Sequence, residues 1–85
     1  MRLPDINLLL YALDSGSPRH ARARRWLEDR LSGTETFALT WSTINGFLRL
    51  STKASVFRIP LPAADAFELV EGWLARPQVV IVDPT

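Results

Sequence analysis

At 85 residues the chain has room for one small domain with a shallow core. It is 47% hydrophobic and 22% charged, the balance of a globular protein, and its net charge of +1 supplies no bulk attraction to nucleic acid. With no cysteine, disulfides, thiolate metal sites and cysteine nucleophiles are excluded, and no apolar run approaches the roughly 20 residues that span a bilayer.

The opening, Leu3-Pro4-Asp5-Ile6-Asn7-Leu8-Leu9-Leu10-Tyr11-Ala12-Leu13, reads as a short strand over residues 2–4 that turns at Asp5 into a helix over residues 7–14. Asp5 admits two readings. It is a good N-cap, since its carboxylate can accept from otherwise orphaned helix amides. It also stands at the carboxyl end of a strand, where open α/β sheets place ligand chemistry. Arg2 ahead of the apolar run imitates a signal peptide, but Asp5 and Asn7 interrupt it and no clean cleavage site follows, so a cytoplasmic protein is expected.

Ser15-Gly16-Ser17-Pro18 is a dense turn signal that closes the first helix and opens a second over residues 18–32. Ala23, Trp26, Leu27 and Leu31 keep the spacing of one buried stripe, while Arg19, Arg22, Arg24, Arg25 and Arg30 crowd the remainder. Those arginines suit phosphate contacts, an acidic partner or simple solvation. His20, the one histidine, reads as a surface residue rather than a catalytic base. Ser-His-Asp chemistry has no local support, and there is no glycine-rich phosphate loop.

Residues 36–41 are short, apolar and β-rich, and predict a second strand. Ser42 then caps a third helix over residues 43–52, with Ile44, Phe47 and Leu48 inward. Gly46 inside that helix costs about 1 kcal/mol relative to alanine, which points to close packing or a missing side chain. Residues 53–62 form a connection folded back on the core. A fourth helix follows over residues 63–75, with Phe67, Val70 and Leu74 buried and Asp65 and Glu68 near its start. Gln78-Val79-Val80-Ile81-Val82 has the continuous apolar character of a strand buried on both faces of a parallel sheet. The order β-α-α-β-α-α-β builds a parallel sheet by crossovers. Asp83 and Pro84 would cap and open a further helix, so residues 1–85 are expected to be the amino-terminal part of a single longer domain, truncated after its third strand.

Three blocks together, Leu3-Pro4-Asp5-Ile6-Asn7-Leu8-Leu9, then His20, Ala23 and Trp26-Leu27, then Ser42-Thr43-Ile44-Asn45-Gly46-Phe47-Leu48-Arg49-Leu50-Ser51-Thr52, resemble a PIN-domain ribonuclease of the VapC toxin type. The first and third blocks are the specific ones. The resemblance implies a three-layer α/β/α sandwich around a central parallel sheet, Mg²⁺- or Mn²⁺-dependent endonucleolytic cleavage of RNA, a cognate VapB-type antitoxin that covers the groove, and a homodimer in the full-length protein. It makes Asp5 a metal ligand and Asn7 the catalytic-site residue that supports it. Where many members carry a metal-site glutamate this chain has Gly46, as a subset of VapC-like proteins does. The remaining family aspartates fall beyond Thr85, and Asp83 does not match them. The alternative is a non-catalytic PIN-like fragment or antitoxin-binding module that lacks a complete acidic site.

Overall fold

The computed structural model describes residues 4–53 and 60–82. Their order is α1 (Ile6–Leu13), α2 (His20–Ser32), β1 (Phe37–Leu39), α3 (Trp41–Ser51), α4 (Ala63–Leu74) and β2 (Val79–Ile81). β1 and β2 pair in parallel, with Phe37 opposite Val79, Ala38 opposite Val80 and Leu39 opposite Ile81. The chain is thus of mixed α/β type with a small parallel sheet. The strand expected over residues 2–4 falls mainly outside the described residues, and Pro4 itself is not in a strand. Asp83 and the middle of the 53–62 connection also lie outside them.

Each helix begins where its sequence permits. Asp5 caps α1 in extended conformation, and Thr40 caps α3, its Oγ1 accepting from the Thr43 amide at 3.1 Å. The expected cap, Ser42, is already inside the helix: Thr40 is the last extended residue after β1, so the helix starts two residues earlier and the strand is shorter. α2 starts at His20 rather than residue 18, because Ser17 and Pro18 remain in the turn and the Ser17 hydroxyl accepts from the Arg19 amide.

The core is continuous across all elements. Leu9, Leu10 and Ala12 of α1, Ala23 and Leu27 of α2, all of β1, Ile44 and Phe47 of α3, and Val70 and Trp73 of α4 are buried. Trp26 meets Phe37 edge-on at 5.6 Å, joining α2 to β1, and Phe47 meets Trp73 at 5.0 Å, joining α3 to α4. Such aromatic pairs add to area burial alone. α1 packs on both α2 and α3.

Two expectations about burial are corrected. α4 buries Ala66, Val70 and Trp73, and Phe67 is 55% exposed. The stripe is rotated by one residue because Trp73 fits against Phe47, which puts the small Ala66 innermost. β2 is not buried on both faces either, since Val80 is exposed while Val79 is buried.

A long-range tie completes the frame. The Gln78 side-chain amide donates to the carbonyls of Arg30 at 3.1 Å and Leu31 at 2.6 Å. These belong to the last turn of α2, whose carbonyls have no partners within the helix. Gln78 therefore fastens the end of α2 to the entry of β2.

Candidate functional site

The sequence singles out Asp5 and Asn7, and the structure puts both at the exposed start of α1. Asp5 has φ −72° and ψ 144°, so its backbone leaves the incoming chain extended while its carbonyl accepts from Leu8 at 3.0 Å and Leu9 at 3.4 Å. Its Oδ1 accepts from the Asn7 amide at 3.3 Å. The capping reading of Asp5 therefore holds. It does not compete with ligation: a carboxylate has about four lone-pair sites, and among the described residues Oδ2 carries no hydrogen bond. Asn7 acts on Asp5 through its main-chain N–H, a service any residue but proline can give.

Gly46 supplies the other half of the geometry. It is buried on α3, and a Cβ built there would run into Cδ1 of Ile6, the residue next to Asp5. The end of the isoleucine side chain thus fills the space in which a longer residue at 46 would begin. The glycine permits the close approach of α3 to the first turn of α1, and no carboxylate from α3 stands beside Asp5 at this position.

Four of the other acidic groups have structural work. Asp14 Oδ1 accepts from the Gly16 amide at 3.1 Å in the turn before α2. Glu28 pairs with Arg24, and Glu35 with Arg30, each at 2.8 Å. Asp65 lies in the first turn of α4, where a negative charge complements the helix dipole. His20 is half-buried rather than a free surface residue: Nδ1 lies 3.0 Å from the Tyr11 carbonyl. A carbonyl only accepts, so Nδ1 carries the proton and the imidazole ties the start of α2 to α1.

Among the described residues no three His, Cys, Asp or Glu side chains cluster as a metal site. Asp5 nevertheless fits a hard cation as a single ligand, since Mg²⁺ is commonly held by one or two carboxylates and keeps several waters. The site is one wall: an exposed carboxylate, oriented by a helix amide, with one oxygen uncommitted among the described residues.

No family model matches the chain. Individual proteins do. It is 48% identical over 79 residues to the ribonuclease VapC33 of Mycobacterium tuberculosis, an alignment that covers 93% of this chain and 55% of that protein. It is 41% identical to ribonuclease VapC37 over 85 residues, covering 100% of this chain and 59% of the relative, and 38% identical to ribonuclease VapC25 over 87 residues, both of M. tuberculosis. The chain is similar over nearly its whole length to proteins named VapC ribonucleases. It spans between 55% and 59% of the length of these three VapC proteins. The VapC37 alignment covers the whole chain, including Asp5 and Gly46.

Two further features carried no signal that sequence spacing could reveal. Arg19 stacks over Tyr11, its guanidinium carbon 5.4 Å from the ring centroid, and donates to the Tyr11 hydroxyl at 3.2 Å. The pair is eight residues apart across a turn, not along one helix face. The Gln78 tie to α2 is likewise invisible to any local pattern.

Proposed function

We propose that the protein to which this chain belongs is a metal-dependent endoribonuclease, the toxin of a VapBC-type toxin-antitoxin system, with Asp5 as a ligand of the catalytic ion. The observation that carries this reading is the exposed Asp5 carboxylate at the start of α1, one oxygen held by the Asn7 amide and the other without a partner among the described residues, in a chain similar over nearly its whole length to proteins named VapC ribonucleases.

On this reading Asp5 would hold Mg²⁺ or Mn²⁺, with the Asn7 amide orienting its carboxylate. The ion, when bound, supplies an activated water and neutralises charge on the scissile phosphodiester. The first-turn amides of α1 add positive potential at the same place, which favours an approaching phosphate. Ile6, the residue after Asp5, packs against Gly46, so the start of α1 is held against α3. Further ligands come from residues outside those described.

The same reading takes the parallel pair β1–β2 as part of a three-layer α/β/α sandwich, with residues 1–85 as the amino-terminal part of one PIN domain. The protein works in the cytoplasm as a homodimer, and a VapB-type antitoxin holds it inactive. No described helix is long and apolar enough to cross a membrane.

The test is cleavage of a structured RNA by the full-length protein in Mg²⁺ or Mn²⁺. EDTA-sensitive cleavage is expected, and Asp5→Asn, folded by circular dichroism, abolishes it. Unchanged cleavage by Asp5→Asn removes Asp5 from the mechanism. No cleavage by the unaltered protein in either metal favours the non-catalytic binding module.

A further inference from the structure

The arginines of α2 are not equivalent. Arg24 is spent on Glu28, and Arg30 on Glu35. Arg19, Arg22 and Arg25 have no ion-pair partner among the described residues, and of these Arg19 and Arg22 line one hollow of about 380 Å³ with Leu8, Tyr11, Pro18 and Ala23. The charge on α2 is therefore uneven: Glu28 offsets Arg24, whereas among the described residues Arg19 and Arg22 stand without a counter-charge where the hollow faces Leu8 and Tyr11 of α1, and Arg25 stands outside it.

The hollow is partly organised in advance. Arg19 is held twice by one residue, through the stack on the Tyr11 ring and the bond to its hydroxyl. Tyr11 is in turn fixed by the His20 contact to its carbonyl. A guanidinium has five N–H donors, so one bond to tyrosine leaves donors for an incoming anion. Leu8, Pro18 and Ala23 give the hollow apolar walls. Two uncompensated guanidiniums over an apolar, aromatic floor suit a ligand with anionic links and flat apolar faces, the combination that single-stranded nucleic acid offers.

Position selects the ligand further. Leu8 lies one helical turn beyond Asp5, and Tyr11 six residues beyond it, about 9 Å along the axis at 1.5 Å per residue. A strand whose phosphodiester lies at Asp5 extends naturally over this hollow. We propose that the Arg19–Arg22–Tyr11 hollow binds the phosphate backbone of single-stranded RNA flanking the scissile bond. The choice of RNA as occupant rests on the function proposed above.

Binding is measured apart from cleavage, by anisotropy of a short fluorescein-labelled single-stranded RNA with the full-length protein in EDTA, across a range of salt. The double variant Arg19→Ala/Arg22→Ala is expected to weaken binding about tenfold and to flatten the salt slope by about 1.4, roughly 0.7 for each phosphate that an arginine no longer neutralises. The control Arg24→Ala/Arg76→Ala removes the same charge from outside the hollow and leaves affinity within about twofold. Equal losses in both variants overturn the proposal, because they mean diffuse attraction rather than a site. It is also overturned if an acidic peptide binds as tightly as the RNA and loses the same factor in the Arg19/Arg22 variant, which makes the hollow a protein-docking site. Cleavage in Mg²⁺ separates the two claims: a protein that cleaves RNA but loses no affinity in Arg19→Ala/Arg22→Ala overturns the hollow and leaves the proposed function standing, whereas a binding loss in a protein that does not cleave does the reverse.

Discussion

Gly46 and Ile6 share one volume: the first carbon of any side chain at 46 would meet the terminal methyl of Ile6. That contact brings α3 against the first turn of α1, beside Asp5. It also gives the glycine a physical reason, since alanine would otherwise be favoured in the helix by about 1 kcal/mol.

The contact is testable by a double-mutant cycle. In the unaltered protein Gly46→Ala must push Ile6 from its rotamer, at about 0.5–1.5 kcal/mol, which offsets the helix-propensity gain and leaves stability nearly unchanged. With Ile6→Val the obstructing methyl is gone, and the same alanine stabilises by about 1 kcal/mol. Urea unfolding should give a coupling of about 0.5 kcal/mol or more. Additive effects would show that the two helices are not in such close contact.

Ser51 is fully buried at the end of α3, and its hydroxyl has no hydrogen-bond partner among the described residues. Burying an unpaired hydroxyl costs about 1–3 kcal/mol. Ser51→Ala removes that cost without opening a large void, so the midpoint of urea unfolding should rise, by the equivalent of about 1 kcal/mol. A drop in the midpoint would mean that the hydroxyl has a partner in solution.

Gln78 reaches the last-turn carbonyls of α2 from more than forty residues away in sequence. Gln78→Ala should cost about 1–2 kcal/mol by losing two hydrogen bonds, and amide exchange should quicken in the last turn of α2 and at the start of β2 together. Faster exchange confined to β2 would contradict the tie.

Phe47 is fully buried against Trp73. Phe47→Ala should destabilise by about 3–5 kcal/mol, whereas Phe67→Ala, on the exposed face of the neighbouring helix, should change stability by no more than about 0.5 kcal/mol. The reverse order would mean that α4 packs with its other face inward.

Local patterns in the sequence located all four described helices, because caps, turns and the three-and-four spacing are written in neighbouring residues. They fixed the boundaries of α4 within one residue, and misplaced the start of α3 by two because Thr40 and Ser42 are both competent caps. The face of α4 was misjudged for a different reason. Phe67 is the larger apolar residue, but Trp73 decides the rotation through a partner on α3, and that partner is a tertiary fact. At the site, Asp5 was legible as a residue with two roles, and the structure shows its capping role directly. Asn7 was legible as a neighbour, but its action through the main chain was not. The sorting of the arginines into paired and unpaired sets was hidden as well, since it depends on where Glu28, Glu35 and Tyr11 come to lie.

The central claim, that Asp5 holds the ion, is tested most directly by adding Mn²⁺ to the isotope-labelled full-length protein and recording paramagnetic broadening of amide resonances. The account predicts broadening centred on Asp5, Ile6 and Asn7 at the start of α1, and its loss in Asp5→Asn while the rest of the spectrum stays that of the folded protein. Broadening centred elsewhere, or unchanged in Asp5→Asn, would contradict it.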